Sequence, residues 1–213
     1  MTTRDDLRAL WPVGLFTSAY LAGAFPVALL RGNTEFVMYI VVMIVLIGFV
    51  YWTYLHVRLS NGVLWCLSIW GLAHMAGGLV VVPQNWPVEA ASHVLYSWWL
   101  VPEHLKYDHV VHAYGFGVAT WVCWQGLATA IERRGGTATP TLGLMVIAAT
   151  SGMGLGSLNE VVEFAATLLI PETNVGGYVN TGWDLVANFV GATVSVSLIR
   201  AGSRKGRPSE ASA

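Results

Sequence analysis

The chain carries little charge. Only 11% of its 213 residues are Asp, Glu, Lys or Arg, where an ordinary soluble domain has about 25%. Because 55% of the residues are hydrophobic, this balance excludes a disordered chain and most soluble enzymes. The formal net charge of −1 exerts no general pull on polyanions, so nucleic acid is not expected as a partner. Cysteine is scarce as well. Cys66 and Cys123 stand inside apolar runs and read as small buried hydrophobes, not as a disulfide or a metal pair. The sequence shows no internal repeat and no His-Glu-x-x-His zinc signature. The glycines at 152, 154 and 156 follow no strand and do not have dinucleotide spacing.

What is abundant is apolar length. A helix needs about 20 mostly apolar residues to cross a bilayer, and six runs qualify: Ala9–Leu30, Phe36–Leu55, Gly62–Val82, Val110–Ile131, Leu142–Ile170 and Tyr178–Ile199. The first is long for a signal peptide and reads as a span. The expected fold is therefore all-α, a polytopic bundle of six transmembrane helices. Residues 1–199 would form a single membrane domain, and residues 200–213 a disordered cytoplasmic tail. Ten Trp and 23 Gly suit interfacial belts and close helix packing.

The basic residues give the orientation. With the N-terminus in the cytoplasm, Arg4, Arg8, Arg58, Arg133, Arg134, Arg200, Arg204, Lys205 and Arg207 fall inside, and only Arg31 and Lys106 fall outside. Positive charge accumulates on the cytoplasmic side, so both termini are expected there, in a plasma (inner) membrane. The one long connection, Pro83–Tyr107, then lies outside. Pro87 and Pro102 are placed to begin and end a short helix. Val88, Ala91, Val94, Leu95, Trp98 and Val101 would be its apolar stripe, which predicts an interfacial helix between spans three and four.

Ionisable groups within a bilayer are functional candidates by default. Asp108 and His112 are four apart, Asn159, Glu160 and Glu163 lie within a turn, and Asp184 and Asn188 are again four apart. Such spacings place side chains on one helical face. At about 1.5 Å rise per residue, His74, His112, Glu163 and Asn188 all lie roughly 9–12 Å below the outer ends of their helices. One site in the outer half of the bundle is implied. His56 and His93 read as edge residues. His109 is turned about 100° from Asp108, and His104 reaches the site only if its helix starts early. The Ser151–Ser157 glycines read as a close-approach face towards Gly115 and Gly117 of span four.

Four carboxylates in a low-dielectric interior cannot all remain ionised without a cation, and no Lys or Arg lies within a span. Either protons are shared or a divalent metal is held. The oxygen-rich, imidazole-poor donor set suits Zn, Mn, Fe or Mg. His74, Asp108, His112, Glu160, Glu163 and Asp184 are the candidate ligands. Asp108, His112, Glu160, Glu163 and Asp184 are also the candidate catalytic groups, with Asn159 and Asn188 orienting them.

Four motifs carry a family resemblance: His74-Met-Ala-Gly-Gly78 followed by Pro83 and Trp86, Tyr107-Asp-His-Val-Val-His112, Asn159-Glu-Val-Val-Glu163, and Asn180-Thr-Gly-Trp-Asp-Leu-Val-Ala-Asn188 with Gly191. Across about residues 60–195 the chain resembles the YjdF-like inner-membrane family, which implies a small polytopic protein and no assigned reaction. The last three motifs also resemble, distantly, those of VanZ-like proteins, with His109 where those have Lys and Glu163 where they have Gln. That second resemblance implies work on the cell envelope. Together these readings favour a metal-dependent membrane hydrolase or transferase acting on a lipid or lipid-linked envelope substrate. A proton- or cation-coupled transporter and a non-catalytic membrane scaffold are the alternatives.

Overall fold

A computed structural model describes residues 4–57, 59–89, 93–170, 173 and 175–205. Arg58, Ala91 and the tail from 206, including Arg207, lie outside these described residues. Six long helices fall on the six apolar runs: α1 Arg4–Leu30, α2 Thr34–Val57, α3 Asn61–Leu79, α4 Tyr107–Glu132, α5 Leu142–Leu169 and α6 Tyr178–Lys205. Helix α6 continues to Lys205, so the first residues of the expected tail are helical. Local chemistry sets several starts. Asn33 Oδ1 accepts the Phe36 N–H at 3.0 Å at the head of α2. Ser60 and Thr141 cap α3 and α5 through hydroxyls that accept from Val63 and Leu144.

Five of the helices are long and apolar enough to cross a membrane; α4 is the exception by composition. The surface is inverted relative to a soluble protein. Val45, Ile47, Phe164, Leu168 and Leu198 face outward, while Asp184 and Asn188 are 0% and 1% exposed. Water cannot stabilise such an exterior, whereas lipid can. The cysteines are free and half-buried.

Helix α4 packs most extensively on α6, and both pack on α5. Helix α3 joins this trio to α1 and α2. The α4–α6 contact depends on glycine: a Cβ on Gly191 would lie 2.7 Å from the Ala113 carbonyl carbon. Of the Ser151–Ser157 glycines, Gly152 and Gly156 pack closely, but not on Gly115 and Gly117, and Gly154 faces open space. A Cβ on Gly152 would meet Thr120 of α4, and one on Gly156 would lie 2.6 Å from Asn188 Nδ2 of α6.

The expected interfacial helix does not form among the described residues. Helix α3 stops at Leu79. Val81 then bridges Val94, and Val88 bridges Trp98. A single 3-10 turn, Leu95–Ser97, precedes a hairpin of β1 Trp99–Val101 and β2 Leu105–Lys106. Valine and tryptophan favour extended backbone. Each extended stretch finds a partner across the loop: Val82 N–H to His93 O at 2.9 Å, Leu95 N–H to Val80 O at 3.0 Å and Trp99 N–H to Pro87 O at 2.9 Å. The loop is thus a folded cap on one end of the bundle, called below the loop end.

Substituting Gly191→Ala should destabilise the protein by about 1–3 kcal/mol, because backbone on α4 leaves no room for the methyl. Gly154→Ala, with nothing within 4 Å, should be neutral or slightly stabilising. Melting temperatures in a mild detergent would separate the two, and equal melting would refute the close approach.

Candidate functional site

His112 is the hub. It is buried on α4, and its ring meets all three acid-bearing helices. Nδ1 lies 3.2 Å from Asn188 Oδ1 and 3.7 Å from Glu160 Oε1. Nε2 lies 3.7 Å from Asp108 Oδ1 and 3.9 Å from Glu163 Oε1. The Asn188 carbonyl can only accept, so Nδ1 carries the proton in the neutral ring and Nε2 turns its lone pair towards Asp108 and Glu163. Gly156 leaves the space that Asn188 occupies.

Two groups have ligand atoms within 4.8 Å of one another: Asp108, His112 and Asp184, and His112, Glu160 and Glu163. They share His112. Asp184 is completely buried; its Oδ2 accepts from Asn180 Nδ2 at 2.7 Å, and its Oδ1 has no partner. Neither Glu160 oxygen has a hydrogen-bond partner. Glu163 Oε1 accepts from Asn159 Nδ2 at 2.7 Å. Buried acceptors without donors are costly, and a cation is the chemical species that would satisfy several at once. The donor set of one imidazole and four carboxylates fits a hard or borderline divalent metal.

His74 stands apart from both groups. Its Nδ1 is hydrogen-bonded to the Tyr96 hydroxyl. A small cavity of about 40 Å³ links this pair to the acids and is lined by Glu35, Tyr39, His74, Tyr96, Asp108 and Glu163. That is room for a few waters. Burial, with Asp108 and Glu163 nearby, pushes the Tyr96 phenol well above its ordinary range, so it remains a neutral hydrogen-bonding group.

Sequence reasoning missed several members. Glu35, buried at the head of α2, stands just ahead of the Phe36–Leu55 run and shares no helical spacing with the other acids. Asn180 stands four before Asp184, the same spacing that pairs Asp184 with Asn188. Lys106 is 4% exposed. It donates to Asn180 Oδ1 and pairs with Glu89 Oε2 at 2.5 Å. Lys106, Asn180 and Asp184 therefore form one continuous chain from the loop to the centre. Tyr96 carries no spacing signal at all, since the folded loop delivers it. His104 bonds Pro102 O at 2.8 Å on the exposed hairpin turn. His56 is likewise exposed, its ring nitrogen against Trp52 O.

The chain matches the family model described as Predicted membrane protein (DUF2238) over residues 13–205. It belongs to this family. The YjdF-like resemblance is thereby established, and the chain is a multi-pass helical membrane protein. The VanZ-like resemblance forms no part of that match. No curated protein and no solved structure matches the chain.

Asn180 links a buried ammonium to a buried carboxylate, and replacing it with an apolar residue strands the Asp184 carboxylate and leaves Lys106 with Glu89 alone. Asn180→Leu should lower stability by about 2 kcal/mol in chelator-treated protein. Adding Asp184→Asn should restore part of the loss. Additive losses in this double-mutant cycle would show that the chain of contacts is energetically empty.

Proposed function

We propose that this protein is a divalent-metal-dependent hydrolase or transferase of the plasma membrane, acting on a lipid or lipid-linked envelope molecule. The observation that carries the reading is Asp184. It is fully buried with an unpartnered oxygen, beside Asp108 and His112. Those three residues with Glu163 would hold the ion, and Asn188 would fix the imidazole tautomer. When bound, the ion supplies Lewis-acid polarisation of a phosphoryl or acyl oxygen and lowers the pKa of water. Glu160, with two unpartnered oxygens, would serve as the general base. Asn159 orients Glu163. His74 and Tyr96, across the small cavity, would hydrogen-bond the substrate or its leaving group.

Residues 1–199 act as one membrane domain in this reading. All six helices cross, α4 included, because its polar residues are enclosed by its neighbours. Both termini lie in the cytoplasm and the loop end faces outward, which places the centre in the outer half of the bundle, within reach of the outer leaflet. The ring of Glu35, Tyr39, His74 and Tyr96 around the cavity favours a second reading, a proton relay in a coupled transporter.

Metal analysis separates the readings. Purified protein should retain about one Zn, Mn, Fe or Mg per chain. Chelator should lower its melting temperature, since the carboxylates are then left to repel one another. Glu163→Gln should weaken metal binding by about tenfold or more, yet melt higher than the native chain once both are stripped. Absence of metal together with indifference to chelator would favour the relay.

The orientation has its own check. In a background lacking Cys66 and Cys123, a cysteine at position 84 should react with an impermeant reagent in intact cells. One at position 134 should react only after lysis. The reverse pattern would invert the topology.

A further inference from the structure

A second, larger cavity of about 220 Å³ opens at the loop end, outside the acid centre. Its walls are Trp99, Trp183, His109, Glu89, Glu103 and Lys106, and Asn180 closes its inner side. The hairpin and the head of α4 build it. His104 N–H donates to Val101 O at 3.0 Å across Pro102 and Glu103, and Glu103 sits at φ 61°. This is a type II turn with proline where proline is favoured and glutamate where glycine is the ordinary choice. The left-handed backbone sets the Glu103 side chain at the cavity wall.

His109 defines what the cavity lacks. It is 5% exposed, and its ring lies against Trp183 at 6.0 Å and 29°, with Trp99 edge-on at 6.4 Å. The Lys106 backbone N–H donates to His109 Nδ1 at 3.3 Å. Nδ1 is therefore an acceptor, the ring is neutral, and the proton sits on Nε2. That buried donor has no partner and calls for an acceptor oxygen. Lys106 cannot draw an anion into the cavity, because it is already held by Glu89 and Asn180 and lies over the Trp99 ring. The remaining charge on the wall is the Glu103 carboxylate, which calls for a donor and repels phosphate.

The complementary ligand is neutral, offers both hydroxyl donors and acceptors, and has an apolar face for two indoles. A pyranose ring has all three properties. A cavity of about 150 Å³ takes benzene, so this one accommodates a single six-membered ring with its hydroxyls. We propose that this cavity is the recognition subsite for the neutral sugar of a glycosylated membrane lipid. The role rests on the reading of the acid centre as acting on a lipid-linked substrate. Asn180, which contacts both Lys106 and Asp184, sets the sugar one amide away from that centre.

The test uses the full chain in phosphatidylcholine nanodiscs free of sugar-based detergent. Monoglucosyl diacylglycerol should raise the melting temperature in a saturable, dose-dependent way. Diacylglycerol and phosphatidylethanolamine should not. His109→Phe keeps the aromatic packing and removes the donor, and should weaken the effect about tenfold or more. Glu103→Gly relieves the left-handed turn, so the variant should melt higher than the native chain without ligand and yet bind the glucosyl lipid more weakly. No response to the glucosyl lipid, an equal response to phosphatidylethanolamine, or unchanged binding in both variants would overturn the proposal. An equal response to methyl glucoside in solution, with nothing added by the lipid, would overturn its lipid part. Titration with Mn²⁺ or Zn²⁺ in the same discs keeps the two readings apart. Metal binding without a glycolipid response defeats only the subsite, and a glycolipid response without metal binding defeats only the metal centre.

Discussion

Four carboxylates gathered around one imidazole, in the interior of a bundle whose outside is apolar, cannot stand without something positive between them. In water their repulsion would be slight at such distances, but inside protein screened from solvent it is several times stronger. The nearest cation, Lys106, reaches Asp184 only through the amide of Asn180 and is already paired with Glu89. The repulsion therefore has to be met at the centre itself, by shared protons or by an ion. The orphaned oxygens of Glu160 and Asp184 mark where that positive charge belongs.

The packing serves this arrangement. His112 reaches Asn188 because α4 and α6 come together at Gly191 and Ala113 with no side chain between them. Asn188 reaches the site because α5 offers Gly156 beneath it. Small residues promote helix association in membranes generally, where burying apolar surface gives no net drive. In this bundle they also fix the depth and tautomer of the central imidazole. A methyl at either glycine would displace polar groups whose alternatives, buried without partners, are worse.

Much of this was legible in the sequence, for a physical reason. Spacings of three and four survive translation into a helix, so the pairs Asp108 with His112, Asn159 with Glu163, and Asp184 with Asn188 predict shared faces, and counting residues along each helix predicts a shared depth. The loop obeys no such period. Its prolines at 87 and 102 bound a stretch that a helical wheel can make amphipathic, but valines and tryptophans there pair across the chain instead. Tyr96 reaches the site only through that pairing, and His109 gains Trp99 from it. Glu35, Lys106 and Asn180 were hidden differently. A hydropathy reading treats polar residues at the ends of apolar runs as punctuation, yet at the loop end Glu35 lines the smaller cavity, Lys106 the larger and Asn180 both.

The composition of α4 follows from its place. It touches α2, α3, α5, α6, the 3-10 turn and β2, so little of its length is left to meet lipid. A helix needs to be apolar on each side that meets lipid, whereas an enclosed side is free to carry polar groups wherever a neighbour answers them. Thr120 is wholly buried and donates to the Phe116 carbonyl of its own helix. Tyr107 donates to Ala73 O of α3, and His112 meets Asn188 of α6. Low hydropathy in α4 thus accompanies its central position among the helices. The one long helix that falls short of a span by composition packs on α2, α3, α5 and α6, and it carries the imidazole on which the acids converge.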